Sequence, residues 1–217
     1  MTLDSEFDLP GVGTISFSGE AVAQSVMRCF RRNGHCRICV VYPVTYPREH
    51  RCTYPMLDRQ SVTDLFRRAA HDDEEIFEIC SGRREFGGPF REKLRSMMER
   101  RTPPSAFWCR SDLIALELIR ELRLAGYRVP QDVSVIGFDD ISEAAAADPP
   151  LTTLRNPTFE AGCAAVDRLE LYAGEGITAA TRALRLAPPL IERGTVAPVR
   201  GDGRIRSGAG EIATRPE

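Results

Sequence analysis

Residues 105–140 read SAFWCRSDLIALELIRELRLAGYRVPQDVSVIGFDD, and they contain the clearest indication of how the chain folds. Two apolar runs, SAFWCRS and VSVIGFDD, flank a helical pattern over 112–126. Asp112 can cap the free N–H groups at the start of this helix, and Gly126 can end it. The buried face of the helix is predicted to contain Leu116, Ile119 and Leu122. A strand, a helix and a second strand in this order predict a crossover connection between two parallel strands.

The same alternation of strand and helix recurs in the rest of the chain. Strand patterns lie at 12–17, 37–43 and 75–81, and helix patterns follow them at 20–34, 61–71 and 89–101. The strands RICVV and VSVIGF are unbroken apolar runs, which is typical of strands that are buried on both faces. These patterns predict an α/β fold with a doubly wound parallel sheet. Another helix is predicted over 158–173, and an extended segment over 187–197.

Composition and charge exclude several classes of protein. The 217 residues include 29 basic and 31 acidic side chains, so the net charge of −2 supplies no field that would attract nucleic acid. No apolar run approaches the roughly 20 residues that a membrane-spanning helix needs. The acidic N-terminus lacks the features of a secretory signal, and the seven scattered cysteines are typical of reduced thiols. We therefore expect a cytoplasmic protein that does not contact membranes.

Three motifs identify a family. SDLIAL (111–116), GYRVPQDVSVIGFDD (126–140) and PPLTTLRNP (149–157) resemble, in order and spacing, the effector-binding core of the lac/gal repressor (LacI/GalR) family. This family is related to periplasmic sugar-binding proteins, and weaker similarity covers nearly the whole chain. The resemblance implies a periplasmic-binding-protein type I-like C-terminal lobe and a partial second lobe. The implied boundaries are a C-terminal lobe at 12–148, crossover segments and a remnant of the N-terminal lobe at 149–198, and a disordered tail at 199–217.

The resemblance also implies a function. The chain is expected to be the effector-sensing region of a LacI-type transcriptional regulator, to bind a carbohydrate or nucleoside, and to form a homodimer. It is not expected to be an enzyme, nor to need a cofactor or a metal. Operator DNA is expected to be contacted only through a helix-turn-helix headpiece, for which this chain has no counterpart. The alternatives are a solute-binding protein of a transport system and a cytosolic hydrolase or phosphotransferase that uses Asp139.

Candidate ligand-binding residues lie where strands end, because ligands of open parallel sheets bind beyond the carboxyl ends of the strands. Asp139 matches the first aspartate of the family's G-[FY]-D-D motif, which accepts hydrogen bonds from ligand hydroxyls. Asp112 matches the aspartate of the family's N-D pair, although a role as helix cap is equally open. The remaining candidates are Ser111, where the family has an asparagine; Arg110; Arg59, the nearest substitute for a ligand-clamping arginine; Phe86, a stacking aromatic or a core residue; and Ser18, in the loop where the family has Asp-Asn.

A second motif contains residue types that can bind zinc, but its spacing does not fit a metal site. His35, Cys36 and Cys39 are followed by His50 and Cys52, which together invite a zinc interpretation. Cys36 and Cys39 are expected at the start and inside of a strand, where residues three apart point to opposite faces. We therefore predict a buried structural pair of cysteines and no metal centre.

Overall fold

The computed structural model describes residues 2–3, 12–43, 59–81, 88–178 and 181–199. Within these ranges the strands are β1 (Thr2–Leu3), β2 (Thr14–Phe17), β3 (Arg37–Pro43), β4 (Glu75–Ser81), β5 (Ala106–Cys109), β6 (Ser134–Asp139), β7 (Thr152–Arg155), β8 (Ala183–Leu186) and β9 (Leu190–Ile191). The helices are α1 (Gly19–Arg32), α2 (Arg59–Ala69), α3 (Gly88–Met98), α4 (Asp112–Leu124), α5 (Ser142–Ala146) and α6 (Thr158–Glu175).

The described strands form two sheets. The larger sheet has the strand order β4-β3-β5-β6-β7-β9, and its strands are parallel except for β9, which runs antiparallel to β7. The smaller sheet has the order β1-β2-β8 and is parallel throughout. The predicted α/β fold with a parallel sheet is confirmed.

Both faces of the larger sheet are covered by helices. On one face, Val40, Trp108 and Ile136 pack with buried residues of α1 and α2. On the other face, Val41 and Phe107 pack with α3 and α4. Strands that are buried on both sides have no polar face, which explains why β3 and β6 are unbroken apolar runs. The sheet is therefore doubly wound, as the sequence predicts.

The smaller sheet combines strands that are far apart in the sequence. β2 pairs with β8, and α6 packs against β2. The extended segments at 152–155 and 190–191 instead join the larger sheet as β7 and β9. The predicted lobe boundary near residue 148 remains a prediction, although β2 pairs in the smaller sheet and not with the strands that follow it.

Helix α4 begins at the predicted residue and buries most of the predicted face, but its cap differs from the prediction. Ser111 is the N-cap, since its Oγ accepts a hydrogen bond from the Ile114 N–H at 3.3 Å. Asp112 is the first helical residue and does not cap the helix. Leu116 is only partly buried, while Leu118 is fully buried. Ile119 and Leu122 are buried as predicted, so the buried face differs from the prediction only at its edge, where Leu118 is buried in place of Leu116.

Helix α6 exposes several large apolar residues. Phe159, Val166 and Leu169 keep 80%, 58% and 55% of their surface exposed. The opposite side of the helix approaches β2 closely, because a Cβ on Gly13 would lie 2.6 Å from the Tyr172 ring. None of the helices in the described ranges is both long and apolar enough to cross a bilayer.

The histidine of the zinc-like motif, His35, is buried, and both of its ring nitrogens have hydrogen-bond partners. His35 Nδ1 lies 2.9 Å from Ser105 Oγ, and Nε2 lies 2.9 Å from Ser134 Oγ and 3.0 Å from the Ala197 carbonyl oxygen. Burial lowers the pKa of His35, so the ring is held neutral. Cys39 is fully buried in β3, whereas Cys36 precedes the strand and is only partly buried, so the prediction of a buried pair is wrong for Cys36. His50 and Cys52 lie outside the described residues.

Candidate functional site

The site is built around Asp139, the last residue of β6. Its backbone φ is +121°, and the φ of Asp140 is +61°, so the chain turns sharply as it leaves the strand. Burial raises the pKa of Asp139 to about 6, and the Arg110 guanidinium and the Asn156 side chain oppose this rise. A carboxylate that is partly desolvated and not fully neutralised by a partner gains free energy from any ligand that donates hydrogen bonds to it.

Arg110 follows β5 and lies beside Asp139. Its Cζ is 5.3 Å from the centre of the Phe138 ring, a distance at which the cation is attracted to the face of an aromatic ring. The backbone N–H of Arg110 donates to the Val41 carbonyl at 2.9 Å, which continues the pairing of β5 with β3 by one residue. The guanidinium is therefore held at the carboxyl edge of the sheet.

Asp112 is fully buried beneath this edge. One carboxylate oxygen accepts from Thr153 Oγ1 at 2.5 Å, and the other accepts from the Ile141 N–H at 3.0 Å. Burial raises the pKa of Asp112, and these two hydrogen bonds counteract the rise. Gly137 allows this arrangement, because a Cβ there would lie 2.2 Å from Asp112 Oδ1. Asp112 thus ties α4 to β7 and to the loop after β6.

Ser18 follows β2 and caps α1. Its Oγ accepts from the Ala21 N–H at 3.1 Å, and its own N–H donates to the Leu186 carbonyl. The rings of Phe17 and Phe138 lie 5.4 Å apart, centre to centre. Because Ser18 follows one ring and Asp139 follows the other, the carboxyl ends of β2 and β6 meet at this contact.

The predicted site residues separate into three groups. Arg110, Ser111, Asp112 and Asp139 lie together at the carboxyl ends of β5 and β6, with Ser18 at the neighbouring end of β2. Arg59 is the first residue of α2, and its side chain lies outside the described part of the structure. Phe86 lies outside the described residues altogether.

Three further residues belong to the site but were missed in the sequence. Asn156 follows β7 and contacts Asp139, so the rule that polar residues after strands form sites could have found it. Thr153 holds Asp112 from inside β7. Arg193 pairs with Asp140 at 2.5 Å, although 53 residues separate the two. No local pattern indicates such a long-range pair.

The arrangement suits binding of a neutral polar molecule. A carboxylate and a guanidinium at one strand edge offer acceptors and donors for hydroxyl groups. Among the residues that the structure describes, no cluster of three or more His, Cys, Asp or Glu could hold a metal ion. Asp139 and Asp140 are adjacent, but Asp140 is engaged by Arg193. Asp140 is therefore not free to share a cation with Asp139.

These features define a class of α/β protein in which an open, mostly parallel sheet presents a polar ligand-binding edge at the carboxyl ends of its strands. The periplasmic binding protein-like domain matches residues 27–196, and the chain belongs to this family. The predicted resemblance to effector-binding domains of LacI-type regulators is confirmed by the relatives and structures that follow.

Sequence relatives are bacterial transcriptional regulators. The ribose operon repressor of Escherichia coli (strain K12) is 32% identical over 163 residues, which are 75% of this chain and 47% of the repressor. The transcriptional regulator MalR of Streptomyces coelicolor is 44% identical over 98 residues, which are 45% of this chain and 28% of MalR. The chain thus spans about half the length of the ribose repressor.

Solved structures share the fold. A LacI family regulator from Bifidobacterium animalis subsp. lactis superposes with a TM-score of 0.70 at 22% identity, covering 91% of this chain and 69% of that one. A LacI family regulator from Enterococcus faecium, solved with bound ribose, has a TM-score of 0.66 at 20% identity and covers 91% of this chain and 70% of that one.

Proposed function

We propose that this chain is the effector-sensing region of a LacI-type transcriptional regulator, that it binds a sugar or a nucleoside-like molecule, and that it has no enzymatic activity. The single observation that carries the proposal is the Asp139 carboxylate, partly buried beside Arg110 where β2 and β6 end next to each other. In an open α/β sheet this edge is where ligands bind.

The proposed contacts follow from the chemistry of a sugar. Asp139 accepts hydrogen bonds from ligand hydroxyls, and Arg110 donates to ring or hydroxyl oxygens. Ser18 and Ser111 supply further hydroxyls at the same edge, and Asp112 supports the site from below. Arg59 and Phe86 remain proposed contacts. Arg59 would act as a donor and Phe86 as a stacking ring.

Within this proposal, residues 12–148 form the C-terminal lobe, and residues 149–198 form crossover segments and a remnant of the N-terminal lobe. The protein acts in the cytoplasm, and operator DNA is contacted through a separate headpiece. The regulators that the chain resembles support this assignment over a transport protein, since the ribose operon repressor matches 75% of the chain.

Ligand-induced thermal stabilisation tests the proposal. A ligand that binds the folded chain raises its melting temperature, by an amount that corresponds to about 2.7 kcal/mol at a concentration 100 times the Kd. We expect at least one member of a panel of pentoses, hexoses and nucleosides, beginning with D-ribose, to raise the melting temperature at millimolar concentration. Asp139→Asn should abolish the rise, whereas Ser142→Ala, at an exposed position in α5, should retain it.

Two results would contradict the proposal. The first is the absence of any shift across the whole panel at about 10 mM, a concentration that detects even millimolar Kd values. The second is stabilisation by a divalent cation that Asp139→Asn removes, since this outcome would favour the hydrolase or phosphotransferase alternative.

We also propose a homodimer. A groove of about 400 Å³ between α4 and the segment that follows α5 is lined mainly by apolar side chains, which are Leu116, Ile119, Leu124, Ala147 and Pro149. Leu124 is 65% exposed at the rim of this groove. Exposed apolar patches of this kind mark contact surfaces. We define these five residues as the α4–α5 groove.

A further inference from the structure

We propose that Arg193 is a positioning residue of the ligand-binding edge: it anchors Asp140 and thereby sets the backbone that orients the Asp139 carboxylate. The consequence for ligand affinity rests on the proposed function, whereas the effect on Asp139 itself does not.

The turn after β6 needs external support. Asp139 and Asp140 both have positive φ values, +121° and +61°. Non-glycine residues in such conformations are strained, and they persist only where surrounding contacts hold them. Aspartate tolerates the left-handed region better than most residues, but φ near +121° lies outside the favoured part of it. Contacts with the rest of the chain must therefore stabilise this turn.

Two anchors hold the turn, one on each side. On the α4 side, the buried Asp112 carboxylate accepts from the Ile141 N–H at 3.0 Å. On the other side, Arg193 donates to Asp140 Oδ1 at 2.5 Å. Asp112 thus binds the backbone just after the turn, and Arg193 binds the side chain of a residue within it. The Asp139 carboxylate contacts Asn156 and Arg110, and the backbone that carries it is held by the anchored residues that follow it.

Arg193 is itself immobilised, as an anchor must be. Its second guanidinium nitrogen donates to the Leu151 carbonyl at 2.9 Å, and its backbone N–H donates to Thr152 Oγ1 at 2.9 Å. The side chains of Arg193 and Asp140 are only 19% and 16% exposed. A pair that is largely shielded from water keeps more of its attraction than a surface pair does.

The chemistry calls for arginine at this position. The guanidinium presents several N–H donors in a rigid plane, so it can bridge Asp140 and the Leu151 carbonyl at the same time. A lysine ammonium is a single point charge on a flexible chain, and it can reach one of these acceptors more readily than both. Lysine is therefore expected to preserve the charge but only part of the positioning.

The test measures the state of Asp139 in the unliganded chain. Carboxyl ¹³C NMR titration, with the Asp139 signal assigned from Asp139→Asn, should give a pKa of about 6 in the wild type. In Arg193→Met we expect this pKa to fall below about 5, because a released turn lets water reach the carboxylate. Arg193→Lys should give an intermediate value. The matched control is Arg32→Met, which breaks an exposed ion pair of the same 2.5 Å length with Glu192.

Ligand affinity supplies the second readout. If D-ribose stabilises the wild type, Arg193→Met should weaken its binding at least about tenfold, with partial recovery in Arg193→Lys and none of this loss in Arg32→Met. If no ligand of the panel stabilises the wild type while the pKa still falls in Arg193→Met, the proposed function fails and the positioning role stands.

The positioning role is overturned if Arg193→Met folds cooperatively and the pKa of Asp139 stays near 6. Should Arg193→Met not fold, Arg193→Lys becomes the test, because it keeps the positive charge but cannot bridge Asp140 and the Leu151 carbonyl in the same way. An unchanged pKa of Asp139 in that variant would likewise overturn the proposal.

Discussion

Asp139 is expected to make folding stability depend on pH in the direction opposite to that of most aspartates. Burial raises its pKa from 3.8 to about 6, so the folded chain binds this proton more tightly than the unfolded chain does. Between about pH 4 and pH 6 the folded state therefore gains a proton relative to the unfolded state. The contribution of Asp139 is present at low pH and is lost as the pH rises through about 6.

The variant Asp139→Asn isolates this effect. Asparagine is neutral at every pH and tolerates a positive φ, so the backbone should be preserved. We expect the free energy of unfolding of Asp139→Asn, minus that of the wild type, to be about 2 kcal/mol higher at about pH 7.5 than at about pH 4.5. Urea unfolding at the two pH values measures this difference. Equal differences at both values would show that Asp139 is as well hydrated in the folded chain as in the unfolded chain.

At the scale of secondary-structure elements, the contact between β6 and the first turn of α4 depends on Gly137. A Cβ on Gly137 would lie 2.2 Å from Asp112 Oδ1 and 3.0 Å from Leu151 Cδ2. Asp112 cannot move aside without losing its hydrogen bonds to Thr153 and Ile141. The strand and the helix are therefore as close as a glycine allows.

Gly137→Ala is expected to destabilise the chain by about 2–3 kcal/mol, the range for overpacking against a side chain that cannot relax. The matched control is Gly162→Ala in α6, where a Cβ meets nothing within 4 Å. The control should be more stable than the wild type by about 0.5–1 kcal/mol, because alanine replaces glycine in a helix interior. Chemical denaturation measures the free energy of unfolding of both variants. Equal effects of the two substitutions would contradict the close contact between Gly137 and Asp112.

The same elements explain which features the sequence could predict. Periodicity located β3, β6 and α4, because buried strands and amphipathic helices leave a pattern in the order of residues. The cap of α4 was assigned to Asp112 and not to Ser111, since either residue type can accept the free N–H groups. Long-range contacts decide which of the two residues caps the helix. The Asp112 carboxylate accepts a hydrogen bond from Thr153, 41 residues away in β7, and Ser111 is left as the cap.

At the scale of the whole molecule, the pairing of distant segments was not predictable from local patterns. β2 looked like the first strand of the larger sheet, yet it pairs with β8. Short strands carry little information about their neighbours, because a parallel partner can lie anywhere along the chain. The same limit applies to the site: Asp139 was identified from its motif, whereas Arg193 depends on the course of the chain through β8 and β9.

The α4–α5 groove leads to the last prediction, which concerns self-association. Closed dimers of identical chains use the same surface twice, so one substitution alters the interface at two places. Leu124 is 65% exposed, and a charge there should cost little in the isolated chain but should be buried in a dimer. We expect Leu124→Glu to raise the dimer dissociation constant at least about tenfold in sedimentation velocity, with the free energy of unfolding of the monomer unchanged.

Phe159→Glu is the control, because Phe159 is the most exposed of the large apolar residues on α6 and lies outside the α4–α5 groove. It should leave dimerisation unchanged. Loss of the dimer in Phe159→Glu, with no effect of Leu124→Glu, would place the interface on α6. A wild-type chain that stays monomeric at about 100 μM would contradict the homodimer, since two chains that bury about 1,200–2,000 Å² of surface associate well below that concentration.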